Sequence, residues 1–157
     1  MAADLQGKHA LVVGASSGIG SAIALQLAHS GASVVVAARR KEEAEAVVAE
    51  ICASGGSASY LPVDVGNTAA VQSLIEGAVA AYGPLHIAVN NAGIEGTPFI
   101  PTADYDETVF DAVIDTNLKG VWRCMKYEIP QMAEGGVIIN MSSIAGLGAN
   151  EMMGCAY

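Results

Sequence analysis

The chain has 157 residues, 52 % hydrophobic and only 5 % aromatic, which is enough apolar material for one core and gives no sign of a second domain. Seven Lys and Arg against 16 Asp and Glu leave a formal net charge of −9, which repels phosphate backbones and anionic lipid, so no nucleic-acid or membrane partner is expected and a small-molecule ligand is. Cys52, Cys124 and Cys155 show no CxxC or Cys/His spacing, so no metal site or disulfide framework is expected; without a basic, then apolar, leader the chain reads as cytoplasmic.

Residues 9–13 form a short apolar run closed by Gly14, suited to a strand buried on both faces. Ile19, Ile23 and Leu27, with Ala22, Leu25 and Ala28 beside them, recur at helical spacing and predict a helix that packs this stripe on the sheet and stops at Gly31. The β-branched run 33–38 is a second strand. After Arg39-Arg40, the acids of Lys41-Glu42-Glu43-Ala44-Glu45 suit the positive end of a helix dipole, with Val47, Val48 and Ile51 inward.

The pattern then repeats. Residues 58–65 predict a third strand ending at Asp64, and Asn67 or Thr68 caps a helix with Val71, Leu74, Ile75, Ala78, Val79 and Tyr82 on one face. Gly83-Pro84 ends it, and residues 85–89 make a fourth strand. Beyond the loop 90–101, Asp104-Tyr105-Asp106-Glu107 resembles a capping box before an inward stripe of Phe110, Val113, Ile114 and Leu118. A further helix is predicted from about Leu118 to Met132, with Val121, Trp122, Met125 and Ile129 at helical spacing and Gly135-Gly136 as its close. Residues 137–141 are a fifth strand and 142–157 a loop. Strands alternating with helices predict an α/β, doubly wound parallel sheet of Rossmann type with right-handed crossovers.

Between the first strand and first helix lies Gly14-Ala15-Ser16-Ser17-Gly18-Ile19-Gly20. Three glycines at this junction allow a sharp turn, close approach of a pyrophosphate, and tight packing of helix on sheet, with amide N–H groups facing the phosphates. The spacing is G-x-x-x-G-x-G, and no Gly-Lys-Ser/Thr follows, so a P-loop is excluded.

In this spacing the chain resembles the short-chain dehydrogenase/reductase family. Asn90-Asn91-Ala92-Gly93 resembles the family's motif at the end of the fourth strand, Asp64-Val65 the position where an acid meets the adenine amino group, and Ile138-Ile139-Asn140-Met141-Ser142-Ser143 the strand that presents a catalytic serine. The resemblance implies a nicotinamide cofactor held by Gly14, Ser16, Ser17, Gly18, Ile19, Gly20, Asp64, Val65, Asn91, Ala92 and Gly93. Where an NAD enzyme of this type places an acid at the end of the second strand, this chain has Ala38 and then Arg39, whose guanidinium suits a 2′-phosphate. NADP(H) is therefore favoured over NAD(H), with Arg40 expected to be the more solvated of the two arginines.

Hydride transfer between a carbinol and a nicotinamide needs a donor to hold the oxygen and a tunable acid/base beside it. By resemblance, Ser143 positions the substrate oxygen, Tyr157 donates or accepts the proton and also borders the cofactor, and Asn117 holds a water in the proton relay. A phenol of pKa ~10 needs nearby positive charge, which relatives supply by a lysine four residues on. That lysine and two further strands would follow Tyr157, so residues 1–157 are expected to be a single dinucleotide-binding domain, C-terminally truncated, with little or no turnover. The expected full-length protein is a homo-oligomeric oxidoreductase interconverting an alcohol and a carbonyl. The alternative is a naturally short, non-catalytic protein that binds NADP(H).

Overall fold

The computed structural model describes residues 4–147, apart from the side chain of Ala145. Five strands, β1 (His9–Val13), β2 (Ser33–Ala38), β3 (Ser57–Pro62), β4 (Leu85–Asn90) and β5 (Met132–Asn140), form one sheet in the order β3-β2-β1-β4-β5, with every pair parallel. Helices α1 (Gly18–His29), α2 (Lys41–Ala53) and α3 (Thr68–Tyr82) connect the first four strands, and α4 (Glu107–Ile114) and α5 (Val121–Glu128) lie between β4 and β5. The Rossmann-type fold expected from the sequence is thus present. Its strand order reverses direction between β1 and β4, and the cleft at their carboxyl ends is where such sheets hold ligands.

The sheet is apolar because both of its faces are covered. Ala10 and Val12 of β1 pack with Ala24, Ala28, Val34, Val36, Val47 and Ile51 on the α1/α2 side, while Leu11 and Val13 meet Val35, Val71, Leu74, Ile75 and Cys124 on the α3/α5 side. Each fully buried Val or Leu contributes about 1.5–3 kcal/mol. The carboxamide of Asn67 caps α3 by accepting from the amide of Ala70 at 3.1 Å, and Val71, Leu74, Ile75 and Ala78 are its buried face.

Several elements differ from their sequence-based expectation. The fully buried line of α1 is Gly20, Ala24 and Ala28, with Ile23, Leu25 and Leu27 half-buried against the core, while Ile19 is 63 % exposed. The third strand ends at Pro62, which leaves Asp64 in a loop. The cap of α4 is Asp106, whose carboxylate accepts from the amide of Thr108 at 2.8 Å; of the stripe foreseen for this helix only Val113 is buried.

The largest departure follows α4. A π-helical turn, Asp115–Gly120, separates it from α5. Cys124 and Glu128 face inward where Met125 and Ile129 were expected, and Trp122 and Ile129 are exposed. The helix also stops at Glu128 rather than Met132. Met132 already pairs with Leu85, and Gly135-Gly136 fall inside β5, where the register shifts before Val137 pairs with Ile87.

Candidate functional site

The glycine-rich turn leaves β1 at Gly14, whose φ of +83° and closeness to Ala92 exclude a side chain: an added Cβ would lie 2.6 Å from the Ala92 nitrogen. At Gly20 a Cβ would strike the Gly14 carbonyl oxygen and come within 2.7 Å of Asn91 Nδ2. Gly18 differs in that a Cβ there would meet nothing within 4 Å; its φ of +59° is what calls for glycine. At Gly14 and Gly20 the turn is thus packed too tightly for any side chain. Asn91 braces it from β4, with Nδ2 donating to the Gly14 carbonyl at 3.0 Å and its own amide donating to the Val13 carbonyl at 3.0 Å.

Beside the turn a cavity of about 330 Å³ is lined by Gly14, Ser16, Ser17, Ala38, Arg39, Arg40, Asp64, Val65, Asn91, Ala92 and Gly93, among others. Arg40 is exposed, as the sequence predicts, with 56 % of its side chain open to solvent, and its Nη2 also donates to Ser17 Oγ at 2.6 Å and Ser16 Oγ at 3.1 Å, which ties the guanidinium to the turn. Its exposed pair with Glu43, at 3.5 Å, adds little. The Asp64 carboxylate accepts the Gly66 amide at 3.0 Å, which fixes the loop that lines the far wall.

Arg123 was not foreseen as part of this region. Its Nη1 donates to the carbonyls of Val65 at 3.1 Å and Asp115 at 3.2 Å, and its Nη2 to Asp115 Oδ1 at 2.7 Å, so one guanidinium ties the Asp64-Val65 loop to the π turn. That bond from Arg123 holds the Asp115 carboxyl below the usual carboxylate range. The sequence carries only a weak signal for it, an acid and an arginine eight positions apart, because their meeting depends on the π turn.

A second cavity, about 650 Å³, adjoins the first at Asn91, Ala92, Gly93 and Ile94 and is lined further by Ile19, Glu95, Ile114, Asn117, Leu118, Met141, Ser142, Ser143 and Gly146. The Asn117 carboxamide is clamped on the loop after β4: Oδ1 accepts from the Ile94 amide at 2.9 Å and Nδ2 donates to the Ile94 carbonyl at 2.8 Å. The structure therefore brings Ser143, Asn117 and Asn91–Gly93 to one hollow, with Ser16, Ser17, Arg39, Asp64 and Val65 in the next. Tyr157 lies outside the described residues. His9 and His86 stand at the opposite ends of their strands, where His86 Nδ1 accepts the His9 amide at 3.2 Å. Among the described residues, no group of three or more His, Cys, Asp or Glu could hold a metal ion and no helix is long and apolar enough to cross a membrane.

Comparison with known proteins agrees with this geometry. A family model described as short chain dehydrogenase matches residues 8–157. The chain is similar, at 45 % identity over 146 residues, to a 3-oxoacyl-(acyl-carrier-protein) reductase, FabG, of Staphylococcus aureus (strain Mu50 / ATCC 700699), with 91 % of this chain and 58 % of that protein covered. It is similar at 44 % over 142 residues to the cyclohexanol dehydrogenase of Acinetobacter sp. (strain SE19), covering 89 % of this chain and 56 % of that one. Among solved structures, a short-chain dehydrogenase/reductase from Serratia marcescens BCRC 10948 superposes with a TM-score of 0.93 at 32 % identity, over 98 % of this chain and 62 % of that one. The chain thus spans somewhat more than half the length of these relatives.

Proposed function

This chain belongs to the short-chain dehydrogenase/reductase family, and from that membership we propose that it is one dinucleotide-binding domain of an oxidoreductase that interconverts an alcohol and a carbonyl, with NADP(H) favoured over NAD(H). The observation that carries the reading is the pair of adjoining cavities, one floored by the glycine turn and the other by Asn117, Ser142 and Ser143. A bound nicotinamide supplies or accepts the hydride.

In this reading the amides at the start of α1 hold the pyrophosphate, which the Cβ-free surface at Gly18 admits. Asp64 faces the adenine. Arg39 and Arg40 neutralise a 2′-phosphate, and Ala38 at the end of β2 puts no carboxylate there to repel it. Ser16 and Ser17 hold Arg40 in place beforehand, so less side-chain entropy is lost when the anion arrives. At the other cavity the Ser143 hydroxyl donates to the substrate oxygen and polarises it, and the Tyr157 hydroxyl passes the proton to or from that oxygen. Asn117 fixes the wall between them through Ile94.

Ile19, Ile94, Ile114, Leu118 and Met141 give the second cavity an apolar wall facing the polar Asn117, Ser142 and Ser143, and Glu95 disfavours an anion, so the substrate class is an uncharged alcohol or ketone. The named relatives, one acting on a 3-oxoacyl group and one on cyclohexanol, suggest the first panel. The test is a fluorescence titration with NADPH and NADH, then NADPH consumption with cyclic ketones and 3-oxoacyl thioesters. Tighter binding of NADPH together with turnover supports the proposal. Binding without turnover is the result expected of the dinucleotide-binding domain alone as well as of a non-catalytic NADP(H)-binding protein, and no binding of either nucleotide overturns both.

A further inference from the structure

Directly beneath the candidate site lies a carboxyl group that the chemistry above leaves idle. Glu128, on the last turn of α5, is 0 % exposed. Its Oε2 accepts from Asn90 Nδ2 at 3.0 Å, and the second proton of that same amide goes to Asn140 Oδ1 at 2.9 Å. Asn140 in turn donates to Met125 Sδ at 3.2 Å. Asn90 and Asn140 are register partners at the ends of β4 and β5. Two buried acceptors in this cluster, Glu128 Oε1 and Asn90 Oδ1, have no hydrogen-bond partner.

Two buried acceptors left bare each forfeit the hydrogen bonds that water would give them in the unfolded chain. One proton removes both deficits: placed on Oε1 and donated to Asn90 Oδ1, it closes a cyclic acid–amide pair whose other arm is the Asn90 Nδ2 bond already present. We infer that Glu128 is a positioning residue that carries a proton in the folded protein, and that through this pair with Asn90 it holds the ends of β4 and β5 in register under the site. Asn90 leads directly into Asn91–Gly93, and its carbonyl accepts the amide of Met141 at 2.9 Å, just before Ser142-Ser143. What Glu128 holds therefore governs where both segments emerge.

The surroundings favour the neutral acid. Burial is the main cause that pushes the Glu128 carboxyl up to about 7, opposed by the Asn90 bond. Of the groups near it, the Cys124 thiol on the same helix is pushed up to about 12 and is uncharged, and the Arg123 guanidinium is engaged by Asp115 and Val65. The elements packed against this part of α5 carry Glu76 and Tyr82 on α3, His86 on β4 and Glu134 on β5; His86 is bound at the far end of its strand by the His9 amide.

The test compares the unaltered chain with Glu128→Gln and Glu128→Leu. Gln keeps both arms, since its amide donates to Asn90 Oδ1 and its carbonyl accepts from Asn90 Nδ2; Leu removes both. The expected results are a protonated-carboxyl infrared band at pH 6 that vanishes in E128Q, and hydrogen exchange at the Asn91 and Met141 amides about tenfold faster in E128L but not in E128Q. Because the proton is held more tightly in the folded state, the folding equilibrium constant falls on the order of 100-fold as pH rises from 4.5 through about 7, and E128Q abolishes that fall. The inference is overturned if the band is missing, if E128Q is as damaging as E128L, or if E128L leaves both amides protected. None of these readouts involves a nucleotide, so failure of NADPH to bind would strike the proposed function and not this pair.

Discussion

Replacing Gly20 by Ala sets a general preference against a specific contact. In a helix Ala is better than Gly by about 0.8–1 kcal/mol, so propensity alone foretells a more stable protein. The structure foretells the opposite. A Cβ at position 20 would overlap the Gly14 carbonyl oxygen, a backbone atom that no rotamer change can move aside, and would press on Asn91 Nδ2 at 2.7 Å. Overpacking of this kind costs about 1–3 kcal/mol. Displacing the Asn91 bond to the Gly14 carbonyl costs about 1 kcal/mol more. After subtracting the helix gain, G20A should lose about 1–3 kcal/mol. With a urea slope of about 1–3 kcal/mol per molar for a small protein, the midpoint should drop by about 1 M at unchanged slope. The affinity for NADPH should fall as well, because the same shift moves the turn. A midpoint that rises or stays put in G20A would refute the close approach of α1 to β1 and, with it, the argument for the phosphate cradle.

Replacing Arg123 by Met should cost about 2 kcal/mol in urea unfolding by stranding the Val65 and Asp115 acceptors. Because the Asp115 carboxyl sits below its ordinary range when folded, its stabilising share is present above the unfolded pKa and is lost as pH falls through the folded one; acid titration of R123M should show a smaller loss there. Removing Arg40 or Arg39 should weaken NADPH binding about tenfold, near 1.4 kcal/mol, and leave NADH binding unchanged; equal losses for both nucleotides in a titration would remove the arginines from a 2′-phosphate site. In the native chain Cys52, which is exposed, should react with a thiol reagent, while Cys124, buried and pushed up to about 12, should react only on unfolding, as peptide mapping would show.

Local chemistry made much of this protein legible before folding. Runs of β-branched residues, the Asn67 cap and the period of Val71, Leu74, Ile75 and Ala78 depend on neighbours in sequence, and they correspond to β1, β2, β4 and α3. The glycine spacing was equally local, since it reflects the steric needs of one turn. Residues 14–20, 64–65, 91–93, 117 and 142–143 could therefore be placed by motif, and the fold brings Gly14, Ser16, Ser17, Ile19, 64–65, 91–93, 117 and 142–143 to two adjoining cavities.

What the sequence could not settle were matters of phase and proximity. Hydrophobic period marks an apolar face but does not say which face the sheet covers, nor does it reveal the π turn; Met125 and Ile129 looked inward, whereas the structure buries Cys124 and Glu128. On α1 the closest line to the sheet is Gly20, Ala24 and Ala28, with Ile23, Leu25 and Leu27 half-buried beside it and Ile19 exposed. The grip of Arg40 on Ser16 and Ser17, of Arg123 on Val65, and of Glu128 on Asn90 spans separations of 23 to 58 residues. Backbone propensity acts over a few residues and so is written in the chain; the meeting of charged and polar side chains is created by the packing of the whole sheet.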